Sequence, residues 1–155
     1  MKNLTSTFLV LLILCAVNTM AQNNFSSRSL PVKPFLFKNL PNDIACTATQ
    51  LNSFFSVNES QSIKILFSNT LKLAGTVRRN IIKNNQLQTV IISLPEFNNI
   101  NFHLSKRIDT NNNIVYVGHL FDVAYADGYE LKKTDKENYH LVKISLDKIL
   151  PYCSQ

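Results

Sequence analysis

Hydrophobic and polar residues alternate along most of the chain after Ser60, and this period of two predicts β-strands. Turn-forming residues separate the alternating stretches, and the short connections predict hairpins and a meandering antiparallel sheet of six to seven strands. One face of this sheet is apolar, and the other is polar with a basic bias. The predicted strands are Ser62–Phe67, Leu71–Ile82, Leu87–Leu94, Ile100–Ile108, Ile114–Asp122, Tyr129–Lys133 and Tyr139–Ser145.

A different period precedes these strands, between Asn42 and Ser56. Four apolar residues recur there at helical spacing: Ile44, Ala48, Leu51 and Phe55. The spacing predicts one N-terminal amphipathic helix whose apolar stripe covers the sheet. The predicted fold class is therefore α+β, with residues 39–155 forming a single globular domain.

The first 21 residues have the three parts of a signal peptide. Lys2 gives the positive start, Phe8–Val17 is an apolar run, and Thr19–Ala21 supplies small residues for cleavage before Gln22. An uncleaved membrane anchor is the alternative, although the apolar run is short for a span. The signal predicts an exported protein, periplasmic or extracellular. Residues 22–38, which mix polar residues with two prolines, are predicted to form an N-terminal arm.

Two cysteines, Cys46 and Cys153, remain after the signal is removed. Because exported proteins mature in an oxidising compartment, a Cys46–Cys153 disulfide is the favoured prediction and two free thiols are the alternative. On the predicted helix, Cys46 lies opposite the apolar stripe. A bond would then require the C-terminal tail to cross the outer side of the helix.

Composition narrows the classes of partner. The chain is 45% hydrophobic and 17% charged, which excludes wholesale disorder, and no later apolar stretch is long enough to span a bilayer. Removing Lys2 lowers the net charge from +6 to +5, which suits an anionic envelope polymer or lipid head groups. The chain has no arginine-rich or base-stacking motif, so a nucleic-acid partner is not predicted.

Alternation on two predicted strands points four basic side chains to the polar face of the sheet. These candidate binding residues are Lys72, Arg78, His103 and Arg107. If the two strands are close in the sheet, the four side chains form one patch that attracts an acidic partner.

Three histidines, His103, His119 and His140, lie on three different predicted strands, and three imidazoles with a water would suit a catalytic zinc ion. Their spacing matches no local ligand signature, so isolated histidines are the favoured interpretation and no metal ion is predicted. The chain contains no hydrolase or phosphate-loop motif. With only three glycines, it also offers few places for close approach to a cofactor, and none is predicted.

A resemblance to known proteins is carried by three segments: LKLAGTVRRN, QTVIISLPEFNNINFHLSKRI and IVYVGHLFDVAYADGYELKKTDKENYHLVKI. They resemble small secreted proteins of unassigned function from the Bacteroidota. More loosely, they are similar to the β-rich N-terminal pro-regions of secreted zinc metalloproteases from those bacteria. The resemblance covers roughly residues 60–150 and implies an exported helix-plus-sheet domain. It transfers no functional residue.

These observations favour an exported, non-enzymatic binding module, inhibitor-like or pro-region-like toward an envelope or secreted protein. A small metal-dependent hydrolase built on His103, His119 and His140 is one alternative. An apolar-ligand carrier is another, if the sheet curls around a cavity.

Overall fold

The computed structural model describes residues 32–67, 71–84 and 86–149. The predicted signal peptide, the first part of the predicted arm and Cys153 lie outside these residues. The described chain forms the following elements: β1 (Asp43–Thr47), α1 (Ala48–Ser53), a 3₁₀ turn (Phe54–Ser56), β2 (Ser62–Leu66), β3 (Lys72–Asn84), β4 (Leu87–Leu94), a second 3₁₀ turn (Pro95–Phe97), β5 (Ile100–Ile108), β6 (Ile114–Leu120), β7 (Asp127–Lys133), β8 (Asn138–Ser145) and α2 (Leu146–Ile149).

All eight described strands belong to one curled antiparallel sheet with the order β1-β8-β7-β6-β5-β4-β3-β2. From β2 to β8 each strand pairs with its neighbour in sequence, whereas β1 pairs with β8. The prediction of an antiparallel sheet is confirmed. β1 and β2 form its two edges.

The predicted α+β fold, with a helix over Asn42–Ser56 on six to seven strands, is wrong: the structure is mostly β, with eight strands. The first half of that segment is β1, in which Ile44 and Cys46 are buried while their neighbours are exposed. Ile44 and Ala48 are also about one helical turn apart. The same residues therefore fit both the two-residue period of a strand and the 3.6-residue period of a helix. Because Ile44 pairs with Leu141 on β8, this segment joins the sheet as a strand and does not form a helix.

The helix begins six residues later than the prediction and has only six residues. Thr47 and Gln50 form a capping box: the Thr47 hydroxyl accepts from the Gln50 amide at 3.2 Å, and Gln50 Oε1 accepts from the Thr47 amide at 2.8 Å. The 3₁₀ turn that follows carries Phe54 and Phe55 into the curl of the sheet.

The concave face of the sheet is covered by this helical segment, called the plug (Ala48–Ser56). Leu51, Phe54 and Phe55 are buried, which confirms the predicted burial of Leu51 and Phe55. The Phe54 ring lies 5.7 Å from that of Phe102 on β5 and 6.0 Å from that of Phe67 after β2. Aromatic packing therefore joins the plug to the middle of the sheet and to its β2 edge.

The sheet has two distinct ends. At the hairpin end lie the β3–β4, β5–β6 and β7–β8 connections. The other end is called the terminal end, because both ends of the described chain reach it: the Ala126 amide donates to Pro34 O at 2.9 Å, and the Leu146 amide donates to Ala126 O at 2.8 Å.

Residues 32–38, the described part of the predicted arm, pack on the terminal end. Phe37 is only 1% exposed and belongs to the core. The buried Asp127 carboxylate accepts hydrogen bonds from the Leu36 and Phe37 amides at 2.7 and 3.0 Å. A buried carboxylate needs such donors, so the bonds fix both groups. Within the described residues, no helix is long and apolar enough to cross a membrane.

Candidate functional site

The strand register places the four predicted basic residues far apart on two strands, β3 and β5. Lys72 begins β3 near the terminal end, and Arg107 lies at the hairpin end of β5. Because β4 separates β3 from β5, the register places the two residues about ten positions apart along the strands, or roughly 30 Å at 3.3 Å per residue. His103 lies between them. One patch containing all four predicted residues does not form.

Arg78 lies at an irregularity that the alternation did not predict. The pairing of β3 with β4 shifts between Val77 and Arg79, so that Arg79 lies opposite Ile91. A bulge of this kind changes which residues share a face. Arg79 also pairs with Glu59 at 3.5 Å. Arg78 is exposed beside this pair, two strands away from His103.

His103 and His119 are direct neighbours on the convex face. They lie opposite each other on β5 and β6, with ring centroids 4.8 Å apart and nearly parallel planes. The Phe121 ring also stacks on His119, with ring centroids 4.7 Å apart. Partial burial lowers the pKa of both histidines, and the charge of His103 lowers that of His119 further while Glu130 opposes the shift.

His140 belongs to a different neighbourhood. It lies opposite Ala45 on β1 and Lys132 on β7, and its Nδ1 contacts the Asp43 carboxylate. The three histidines of the hydrolase hypothesis therefore do not converge: two are paired and the third has another partner. Among the described residues, no group of three His, Cys, Asp or Glu side chains could hold a metal ion.

Cys46 lies in β1, inside the core, and not on the outer side of a helix. Burial raises the pKa of its thiol to about 12. The predicted partner, Cys153, lies outside the described residues, so the disulfide stays a prediction. The same holds for the two-thiol alternative.

The most open part of the inner face is a groove at the hairpin end, which the sequence analysis did not identify. Strands β3 to β6 continue beyond the plug, and their inner side chains are left without a cover. Ile82, Ile114 and Ile108 are 69%, 51% and 39% exposed. The groove has a volume of about 280 Å³. Its lining includes these isoleucines and Lys106 from the inner face, and also Leu87 and Arg107, which pair across β4 and β5 on the convex side at the end of the sheet.

A polar cleft of about 510 Å³ adjoins the groove and shares Ile114 with it. The cleft lies between α1 and the β5–β6 and β7–β8 hairpins. Its polar lining comprises Thr49, Asn52, Asn112, Asn113, Tyr116, Lys133, Lys136 and Glu137. Lys106 links the two depressions, because it lines the groove and its Nζ lies 3.5 Å from Asn52 Oδ1 in the cleft.

Side-chain contacts at the end of the plug explain why the groove starts there. Lys106 Nζ lies 5.1 Å from the centre of the Phe55 ring, a cation–π contact, and Gln88 Nε2 donates to Phe55 O at 3.3 Å. These polar side chains terminate the core, and Ile82, Ile108 and Ile114 lie beyond them. Ile108 and Ile114, which have inner parity at strand ends, were the available signal in the sequence; the inward position of Ile82 depends on the bulge.

We call the groove and the cleft together the hairpin-end site. Of the predicted basic residues, only Arg107 belongs to it; Lys72, Arg78 and His103 lie elsewhere. The chain matches no protein-family model, and no significant similarity links it to a curated protein or to a solved structure.

Proposed function

We propose that the protein is an exported binding module that engages a macromolecular partner through the hairpin-end site. The observation that carries this proposal is the change along the inner face of the sheet. Over most of its length this face is covered by Leu51, Phe54 and Phe55, and at the hairpin end it continues into solvent. Contiguous exposed apolar side chains with a polar rim are typical of interaction surfaces.

Two further features support this proposal. The signal-peptide pattern of residues 1–21 favours export, and the partner is then an envelope or secreted protein or an anionic envelope polymer. The resemblance to metalloprotease pro-regions agrees with an inhibitor-like or pro-region-like role. A hydrolase receives less support, because the paired His103 and His119 are separated from His140. A carrier with a ligand inside the curl is disfavoured, because the plug fills that space.

Position-dependent photo-cross-linking in the exporting cells tests the proposal. A photoreactive residue replaces Gln86 on the groove rim, Lys136 on the cleft rim or, as a control, Val123 at the terminal end. All three positions are exposed, and Val123 is 63% exposed. We expect the same discrete adduct from positions 86 and 136 and none from position 123. Adducts from position 123 alone, or equally from all three positions, would contradict the proposal.

A further inference from the structure

We infer that the hairpin-end site takes an extended acidic segment of a partner protein, with aliphatic side chains in the groove and carboxylates against its lysines and arginine. This inference rests on the proposed function and adds the chemistry of the partner. It depends on the size of the groove, the signs of the surrounding charges and the polarity of the hairpin tips.

The size and the lining of the groove suit the side chains of a partner chain. At about 280 Å³ it is slightly smaller than a typical small-molecule site, which has about 300–1,000 Å³. Four of its lining residues are aliphatic: Ile82, Leu87, Ile108 and Ile114. Such a surface takes a leucine, isoleucine or valine of a partner chain and removes both surfaces from water.

The charges at the site favour carboxylates. The charged residues lining the groove, Lys106 and Arg107, are both cationic. The cleft is lined by two lysines, Lys133 and Lys136, and one acid, Glu137. Lys133 also interacts with the Asp109 and Asp135 carboxylates beside the cleft, so Lys106, Arg107 and Lys136 are the cations that favour a partner carboxylate. Carboxylates that bind beside an aliphatic anchor would form charge-assisted hydrogen bonds with these groups.

A second copy of this chain is disfavoured by the same charges. In a two-fold symmetric dimer the same patch contacts itself, which would place Lys106 and Arg107 of the two copies close together. Like charges in such contact oppose association.

A lipid bilayer is disfavoured by the polarity of the hairpin tips. The aliphatic residues lie behind Lys83, Asn84 and Gln86 in one connection and behind Asp109–Asn113 in the other. The second tip is ordered by Asp109, whose carboxylate accepts from the Asn111 and Asn113 amides at 2.8 and 2.9 Å. Approach to a bilayer would bury these polar tips before the isoleucines reached the hydrocarbon, and burying polar groups without partners is costly.

Selection from a displayed library of random dodecapeptides tests this inference. The purified exported protein is the target, and peptides that also bind its Ile82→Asp variant are removed. We expect the remaining peptides to combine aliphatic residues with Asp or Glu. Binding of a selected peptide should weaken about tenfold or more with Arg107→Glu and at high salt. The matched control Lys72→Glu, at the terminal end, should bind as the unchanged protein does.

Circular dichroism establishes that each variant is folded. If Ile82→Asp does not fold, Arg107→Glu takes its place in the selection, since that side chain is exposed. Selected peptides that lack acidic residues, or a selection that yields no peptide sensitive to residue 82 or 107, would overturn the inference. So would equal weakening by Lys72→Glu.

Two parallel measurements address the other occupants. Flotation with vesicles of phosphatidylethanolamine and phosphatidylglycerol, and sedimentation equilibrium of the protein alone, are repeated with Ile82→Asp. Vesicle binding or dimerisation that requires Ile82 would overturn the inference in favour of a bilayer or a second copy. If cross-linking maps the partner to the hairpin end and the selection fails, only the partner chemistry is wrong. If cross-linking fails there, the proposed function itself is wrong.

Discussion

The two ends of the sheet use the same inner face in opposite ways. At the terminal end the chain covers this face itself: the Phe37 ring packs 5.2 Å from those of Phe97 and Tyr129. At the hairpin end, Phe55 is the last buried residue of the plug, and Ile82 and Ile114 beyond it are exposed. Alternation along the strands continues through both regions. The difference lies in whether another segment of the chain covers the face.

Two lysines make the comparison concrete. Lys143 at the terminal end donates to Phe37 O and Leu40 O at 2.8 and 2.6 Å, so the chain itself uses its hydrogen-bonding capacity. Each lysine lies over an aromatic ring, Lys143 over Tyr129 and Lys106, at the hairpin end, over Phe55. The hydrogen bond from Lys106 Nζ to Asn52 Oδ1, at 3.5 Å, is longer than those of Lys143. A protonated lysine has three donors, so Lys106 keeps capacity for a carboxylate of a partner.

Truncation of the core should give the largest difference between covered and open parts of the inner face. Phe54→Ala removes a ring that is 1% exposed and should destabilise the protein by about 3–5 kcal/mol. Ile82→Ala, at an exposed position, should change the free energy of unfolding by less than about 0.5 kcal/mol. Urea unfolding of both variants measures the contrast. Similar losses would mean that residue 82 is covered in solution.

Asp127→Asn should loosen the terminal end. The carboxylate accepts two backbone amides, whereas an asparagine side chain would direct its NH₂ group toward one of them. We expect a loss of about 1–3 kcal/mol, with earlier proteolytic cleavage in residues 32–41. Glu96→Gln, an exposed acid at the same end, is the control and should have little effect. Unchanged cleavage would show that the Asp127 bonds do not hold this segment.

Gln50→Ala tests how the plug is anchored. On a helix over Asn42–Ser56 this residue would lie on the outward side, where a replacement changes little. In the structure it completes the capping box, and its Nε2 donates to Leu66 O at 2.8 Å. We expect its replacement to lower the free energy of unfolding by about 1 kcal/mol, measured by thermal or urea unfolding. Thr49→Ala, exposed on the same helix, is the control. Equal, negligible effects would rule out an anchoring role for Gln50.

Mild acid should weaken the fold through His103 and His119 on the convex face. The pKa values of His103 and His119 are lowered in the folded protein, so the unfolded chain binds protons more readily as the pH falls through about 6.5. The free energy of unfolding should therefore fall below that pH. The double variant His103→Gln/His119→Gln should flatten this dependence. An unchanged slope between pH 7.5 and 5 would assign the loss to other groups.

Most of the sheet could be predicted from the sequence. Strands β2 to β8 correspond to the seven predicted segments with only small differences at their ends, because turn residues and alternation mark them locally. β1 could not be separated from a helix, since Ile44 and Ala48 suit both periods and the pairing with Leu141 is distant in sequence. The bulge at Arg78 was likewise invisible, because it depends on the partner strand.

The site was less accessible to prediction. Alternation correctly directs His103 and Arg107 away from the core, but it does not tell how far apart two strands lie or where along them a residue falls. The hairpin-end site depends on the length of the plug relative to β3–β6, which is a tertiary property. Exposed isoleucines at strand ends look like ordinary core residues in the sequence.

The most direct test of the central claim combines cross-linking with charge reversal. A photoreactive residue at position 86 is placed in the unchanged protein, in Arg107→Glu and in Arg78→Glu, and the adduct is measured in cells that produce the protein. Both arginines are exposed, so neither reversal should alter folding appreciably. If the hairpin end binds an acidic partner, adduct formation should fall with Arg107→Glu and persist with Arg78→Glu. Equal adduct formation in all three proteins, or loss only with Arg78→Glu, would contradict the account.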